Sequence, residues 1–252
     1  MGLEYLLKKY TTFIPSATSF KNRDFPVTKA NIPLYDHLKT TAVFAAAISK
    51  LDLEKRENII NYYRKTKSYK EENEFILING DFFGIQDFIF NEVEAKAATK
   101  VLRGKSAYVQ ILTKVIALYV VEELQLSKLS IINDSAGKFE ILAPNSNEIK
   151  NELINIQSRL NEFFAKEFFG QTGVGISFVE CGLFDFIEKG RYQNRLRKDL
   201  GIEVEKTKLK KFDLLKKDYD LKWDKNITNE NQCFICKHRV GKENNILKKK
   251  SM

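Results

Sequence analysis

The chain has 252 residues, 43% hydrophobic and 12% aromatic, which is ample for a packed core and excludes a disordered chain. Its 42 Lys and Arg against 33 Asp and Glu give a formal charge of +9, a balance that favours a polyanionic partner without identifying one. Three cysteines, two of them in one C-x-x-C, exclude a disulfide-stapled scaffold, and no apolar run reaches the roughly 18 to 20 residues of a membrane span. The expectation is a cytoplasmic protein without a signal peptide or membrane segment.

Residues 3–14 carry apolar side chains at helical spacing, and Pro15 ends them. Residues 15–33 read as an irregular loop broken by Pro15, Pro26 and Pro33. Asp36 is placed to cap a helix over 37–50, whose Ala42, Ala45, Ala46 and Ala47 suit close helix packing. A further helix is expected over 52–70, charged on one side and bearing Ile59, Ile60, Tyr62 and Tyr63 on the other.

The periodicity changes at Phe75. Phe75-Ile76-Leu77-Ile78 is a strand pattern that stops at Asn79-Gly80-Asp81, turns through Gly84 and passes into a long helix. A carboxylate at a strand exit with glycine three residues on has two readings: the first metal ligand of a nucleotidyl-transfer palm, or a strand-end Asp capping the turn. The elements that follow are a helix over 95–125, strands at Leu129–Asn133 and Lys138–Ala143, a helix over 146–169 and a strand at Val174–Leu183. With the strand at 75–81 this is an α+β chain of βαββαβ order, the ferredoxin-like plan. The first of these helices spans roughly 45 Å, with Gly104 as a break or contact point.

In a catalytic palm of cyclase type, the hairpin between the second and third strands brings a second carboxylate to two shared metal ions. Here the corresponding positions are Ser135, Ala136, Gly137 and Lys138. Gly137 and Lys138 cannot hold a divalent cation, Asp134 lies on the strand side of the turn, and Lys138 suits a phosphate better than Mg²⁺. The last fifty residues, from Glu203, hold fourteen Lys and Arg against eight Asp and Glu, either a solvated linker or a nucleic-acid face. Tyr219 and Trp223 lie among those lysines and suit base stacking or a small apolar anchor. Cys233-Phe234-Ile235-Cys236 has the spacing of half a zinc knuckle, for which His238 is the obvious third ligand.

Two motifs in order carry a family resemblance. Gly80-Asp81-Phe82-Phe83-Gly84-Ile85-Gln86-Asp87-Phe88-Ile89 and Leu102-Arg103-Gly104-Lys105-Ser106 resemble the first palm of the large GGDD-type subunit of type III CRISPR effector complexes, of Csm/Cmr type. Ile14-Pro15-Ser16-Ala17-Thr18 and Leu34–Ala42 are similar to the close of that family's HD nuclease domain. The resemblance implies three parts: residues 1–72 as a helical segment at the end of an HD domain, 73–200 as the first palm, and 201–252 as a basic helical linker opening a truncated zinc-binding domain. Neither His37 nor His238 precedes an Asp, so no HD metal site is expected. In this family two palms face each other, each with an ATP, and the complex makes cyclic oligoadenylates after target RNA binds. The resemblance thus implies a half-site that is inactive alone, its metals held by a second palm bearing G-G-D-D, a sequence this chain lacks.

The resemblance places the expected nucleotide contacts on Gly80, Asp81, Phe83, Gly84, Arg103, Lys105 and Lys138, although Arg103 and Lys105 also read as solvated helix charges. Phe83 stands where the family has Ser, and Ser135-Ala136 where it has Gly-Gly. The implied cofactors are ATP and a zinc ion held in part by Cys233 and Cys236. The implied partners are the subunit that binds the 5′ tag of the guide RNA, the small subunit, guide and target RNA, and the missing palm. Two other functions remain open: a nucleic-acid-binding module without catalysis, and a self-sufficient nucleotide cyclase or polymerase-like palm.

Overall fold

Phe75–Phe83 (β1) is an inner strand of a four-stranded antiparallel sheet ordered β2-β3-β1-β4. The computed structural model of the protein describes residues 2–16, 32–90, 98–213, 233 and 240. The other strands are Ile131–Ser135 (β2), Lys138–Pro144 (β3) and Gly173–Cys181 (β4). Every residue of β1 is buried because both faces of the sheet are covered, which explains why the strand reads as a continuous apolar run.

On one face Ile76, Ile78, Phe82, Phe139, Ile141 and Val174 meet the helices Ala98–Glu123 and Asn147–Phe168, which supply Ile116, Val120, Ile156 and Phe164. Each such side chain contributes about 1.5–3 kcal/mol on leaving water. On the other face Phe75, Leu77, Leu142 and Cys181 pack against Val43 and Ala47 of the helix Leu34–Ser49, and against Leu196 and Leu200 beyond β4. In chain order the helices are α1 (Leu3–Thr11), α2 (Leu34–Ser49), α3 (Leu53–Thr66), α4 (Ile85–Phe90), α5 (Ala98–Glu123), α6 (Asn147–Phe168), α7 (Leu183–Ile187) and α8 (Lys198–Leu209). A π-helical turn, Tyr192–Arg197, leads into α8.

Local chemistry sets these boundaries. Asp52 caps α3 by accepting from Lys55 N at 2.8 Å, and Ser146 caps α6 by accepting from Ile149 N at 3.3 Å. Gln157 of α6 reaches the outer edge of β4, where its Nε2 donates to Val174 O at 2.8 Å and its Oε1 accepts from Ile176 N at 2.6 Å. Buried Asp185 of α7 accepts from Gly182 N and Arg191 Nε, each at 3.0 Å, and pairs with Arg195. Burial pushes that carboxyl up, but Arg195, the Gly182 N–H and Arg191 outweigh it and hold it below the usual carboxylate range.

Several expectations are corrected. β1 does not stop at Asn79-Gly80-Asp81 but runs to Phe83, because Asp81 and Phe83 still pair with β4 opposite Gly175 and Gly173. Asp36 is not a cap: α2 starts at Leu34 after Pro33, whose fixed φ suits a helix start, and Asp36 lies in the first turn. Helix α5 is unbroken at Gly104, and among the described residues nothing outside its own helical turn lies within 4 Å of where its Cβ would stand. The segment from Glu203 is not all linker, since α8 runs to Leu209 and packs on β4 and β1. Among the described residues no helix is long and apolar enough to cross a membrane.

Candidate functional site

Alternation along β1 sends Asn79, Asp81 and Phe83 to the α8 face of the sheet, where the cross-strand neighbours are Lys138 and Glu140 of β3 and Gly175 and Ser177 of β4. Asp81 is 5% exposed. Its Oδ2 lies 3.6 Å from Lys138 Nζ and 3.3 Å from Lys208 Nζ of α8. Both lysines approach as ion pairs outside hydrogen-bonding geometry, so among the described residues Oδ2 finds no directed hydrogen bond, and neither do the buried Asn79 Oδ1 and Ser177 Oγ beside it. The Lys208 ammonium is held above its ordinary range, first by its 2.9 Å bond to Glu205 and further by Asp81.

Helix α8 can lie this close because Gly175 has no side chain: a Cβ there would stand 2.6 Å from Thr207 Cγ2. Arg197, at the end of the π turn, pairs with Glu140 and anchors the other end of the polar row. Below it Phe83 is buried edge-to-face against Phe212 at 5.5 Å, with the Lys211 ammonium 5.0 Å from its ring centre.

The β2–β3 hairpin closes through Ala136 and Gly137, whose φ values of 54° and 77° form a tight two-residue turn. Gln110 of α5 holds it, donating from Nε2 to Asp134 O at 3.2 Å and accepting from Ala136 N at 3.4 Å. A side chain at Gly137 would collide with Ile85 of α4. The hairpin is therefore fixed, and it presents an ammonium, Lys138, where a metal site would need a carboxylate.

Of the residues singled out from sequence, the fold brings Asp81 and Lys138 directly together. Phe83 shares their face but lies under Phe212. Gly80 points to the opposite face, where the Phe139 ring fills the space of a side chain, so its smallness serves packing and not approach of a ligand. At Gly84, with φ +72°, the Gln171 carbonyl fills that space. Arg103 and Lys105 stand on α5, across the sheet from Asp81; Arg103 is exposed, and Lys105 lies 5.5 Å from the Phe88 ring centre. Cys233 is half-buried, while Cys236, His238, Tyr219 and Trp223 lie outside the described residues. The residues missed from sequence are Lys208, Thr207, Arg197 and Glu140. The i,i+3 pairs Glu203–Lys206 and Glu205–Lys208 were the available signal for α8.

One buried carboxylate between two ammonium groups does not fit a divalent cation, and among the described residues no group of three His, Cys, Asp or Glu side chains is arranged for a metal ion. Of the two lysines, the exposed Lys138 has the charge to meet an anion such as a phosphate, while Lys208 is already bonded to Glu205.

Residues 74–223 match the family model described as Csm1 subunit domain B. A CRISPR system single-strand-specific deoxyribonuclease Cas10/Csm1 (subtype III-A) from Thermococcus onnurineus is 30% identical over 213 residues, covering 84% of this chain and 26% of the relative. Its namesake from Methanocaldococcus jannaschii is 30% identical over 266 aligned positions, covering 95% of this chain and 32% of the relative. Among solved structures, a Csm1-Csm4 cassette in complex with cA4 is similar at TM-score 0.66 and 28% identity, over 86% of this chain and 28% of the neighbour. A Csm1-Csm4 cassette in complex with one ATP gives 0.64 and 28%, over 85% and 27%. The chain spans about a quarter to a third of the length of these relatives. It belongs to the Cas10/Csm1 family of type III CRISPR large subunits.

Proposed function

We propose that this chain is the nucleotide-facing, metal-free half of a composite site for cyclic oligoadenylate synthesis in a type III CRISPR complex, and a scaffold for its assembly. In this reading residues 73–200 form a ferredoxin-like first palm after the close of an HD domain (1–72), and residues from 201 lead toward a zinc-binding segment begun by Cys233 and Cys236. The observation that carries it is the environment of Asp81, whose buried carboxylate is neutralised by Lys138 and Lys208. Lys138 and Lys208 occupy the carboxylate against a divalent cation, and the exposed Lys138 ammonium has the sign to meet a phosphate, so the chain offers charge for a nucleotide and leaves metal binding to a second palm. Asp81 keeps both lysines placed, and α8 brings one of them. Solved neighbours with ATP, AMPPNP and cA4 support ATP as the ligand class, and their Csm1-Csm4 cassettes support a Csm4-like subunit as partner. The small subunit and guide and target RNA complete the proposed assembly.

The purified chain is expected to make no cyclic oligoadenylate from ATP with Mg²⁺ or Mn²⁺, and to restore synthesis when a separately expressed G-G-D-D palm is supplied. Lys138→Glu is expected to weaken ATP binding in that reconstituted pair. Product formation by the purified chain that vanishes in Asp81→Ala overturns the reading.

A further inference from the structure

Helix α5 packs Val109, Thr113, Ile116, Ala117, Val120 and Val121 against the sheet. Its far side is not polar. Tyr108, Ile111, Val115 and Leu118 recur there at intervals of three, four and three residues, and they are 46%, 62%, 52% and 39% exposed. Such alternating steps of three and four residues form the kind of seam that one helix presents to another. A surface helix that buries one stripe ordinarily has charged residues opposite it.

The charge along the first two-thirds of the seam is basic, and only Glu122, one turn beyond Leu118, closes the row with an acid. Lys100, Arg103, Lys105 and Lys114 precede the first acid of α5, Glu122, and by helical spacing Arg103 and Lys114 border the apolar row while Lys100 extends it. Acidic flanks are therefore required of whatever covers it. Residues 214–252 of this chain, with ten Lys and Arg against five Asp and Glu, have the wrong sign for that role. A second copy set antiparallel about Ile111 and Val115 would bring two Lys114 side chains to the centre of the contact.

We propose that the exposed face of α5 docks an amphipathic, acid-flanked helix of a partner protein, with Ile111 and Val115 at the centre of the contact. The face lies across the sheet from Asp81, so the proposal stands apart from the nucleotide reading.

The test uses the full chain and a fluorescein-labelled peptide of about four heptads, long enough to hold a helix, with Leu at the two seam positions and Glu beside them. Fluorescence anisotropy is expected to show saturable binding that weakens with added salt, and none to a matched peptide with Lys in place of Glu. Ile111→Glu with Val115→Glu is expected to weaken binding more than about tenfold. Both positions are exposed, so the thermal midpoint stays unchanged; Ile111→Ser, expected to weaken binding less, guards against a folding defect. Absence of binding, equal binding of both peptides, or full binding by the double variant overturns the proposal. So does a dimer of the chain in sedimentation equilibrium that the double variant abolishes, which would assign the face to a second copy.

Discussion

Replacing Lys208 by Met tests whether the Asp81 ion pair holds α8 on the sheet. At an effective dielectric constant of about 20, unit charges 3.3 Å apart attract by about 5 kcal/mol. Much of that is not net, because the Lys208 side chain is 35% exposed and gives up water and rotamer freedom to make the contact. Asp81, by contrast, is buried, and with Lys208 gone its carboxylate keeps only Lys138, which is 57% exposed and 3.6 Å away. The expected loss is about 1–2 kcal/mol, a fall in Tm of about 3–6 °C for a chain of this size. Urea unfolding of the wild type, Lys208→Met, Asp81→Asn and the double variant forms a thermodynamic cycle. The expected coupling is about 1 kcal/mol, because Asp81→Asn removes the need for the ammonium. Additive losses, with a coupling below about 0.3 kcal/mol, would show that α8 is held by Leu200 and Thr207 alone and refute the role given to the pair.

Asp185→Asn is expected to cost about 3 kcal/mol, since it leaves two arginines around a neutral amide in a buried site. The native Asp185 carboxyl titrates below its ordinary range, so its contribution is complete above about pH 4 and is lost as the pH falls through the folded value. Melting curves across acid pH should therefore fall less steeply in Asp185→Asn than in the wild type. Gly80→Ala forces a methyl group into the Phe139 ring and should cost about 1–3 kcal/mol by urea unfolding, with partial rescue by Phe139→Leu. Burial pushes the Cys181 thiol up to about 12. It should react with a thiol reagent only on unfolding, and native reactivity at Cys181 by mass spectrometry would contradict the packing described.

The strands were legible where burial is two-sided or where turn chemistry is local. Phe75–Ile78 reads as a strand because both faces are covered, and Gly137 marks the hairpin because its positive φ needs glycine. The cyclase pattern put Lys138 near Asp81, but their direct cross-strand pairing was not legible, because register belongs to the pair of strands and not to either sequence alone. Nor was α8. Its lysines resemble those of the tail that follows, and what seats it is the contact of Thr207 with Gly175, two residues far apart in the chain. Gly80 misled for a related reason: a glycine beside an acid suggests approach of a ligand, but the strand's alternation turns it toward Phe139.

Gln157 has a consequence for association. By offering an amide to Val174 and Ile176, it stands in for a fifth strand on the β4 side, and a foreign extended segment arriving there would first have to displace it. Arg195 restricts the same border by donating to the Glu180 carbonyl at 3.3 Å. The opposite margin is guarded in the same way at one point, where Gln110 donates to the Asp134 carbonyl of Ile131–Ser135, so growth of the sheet into an oligomer or an aggregate is opposed on both sides.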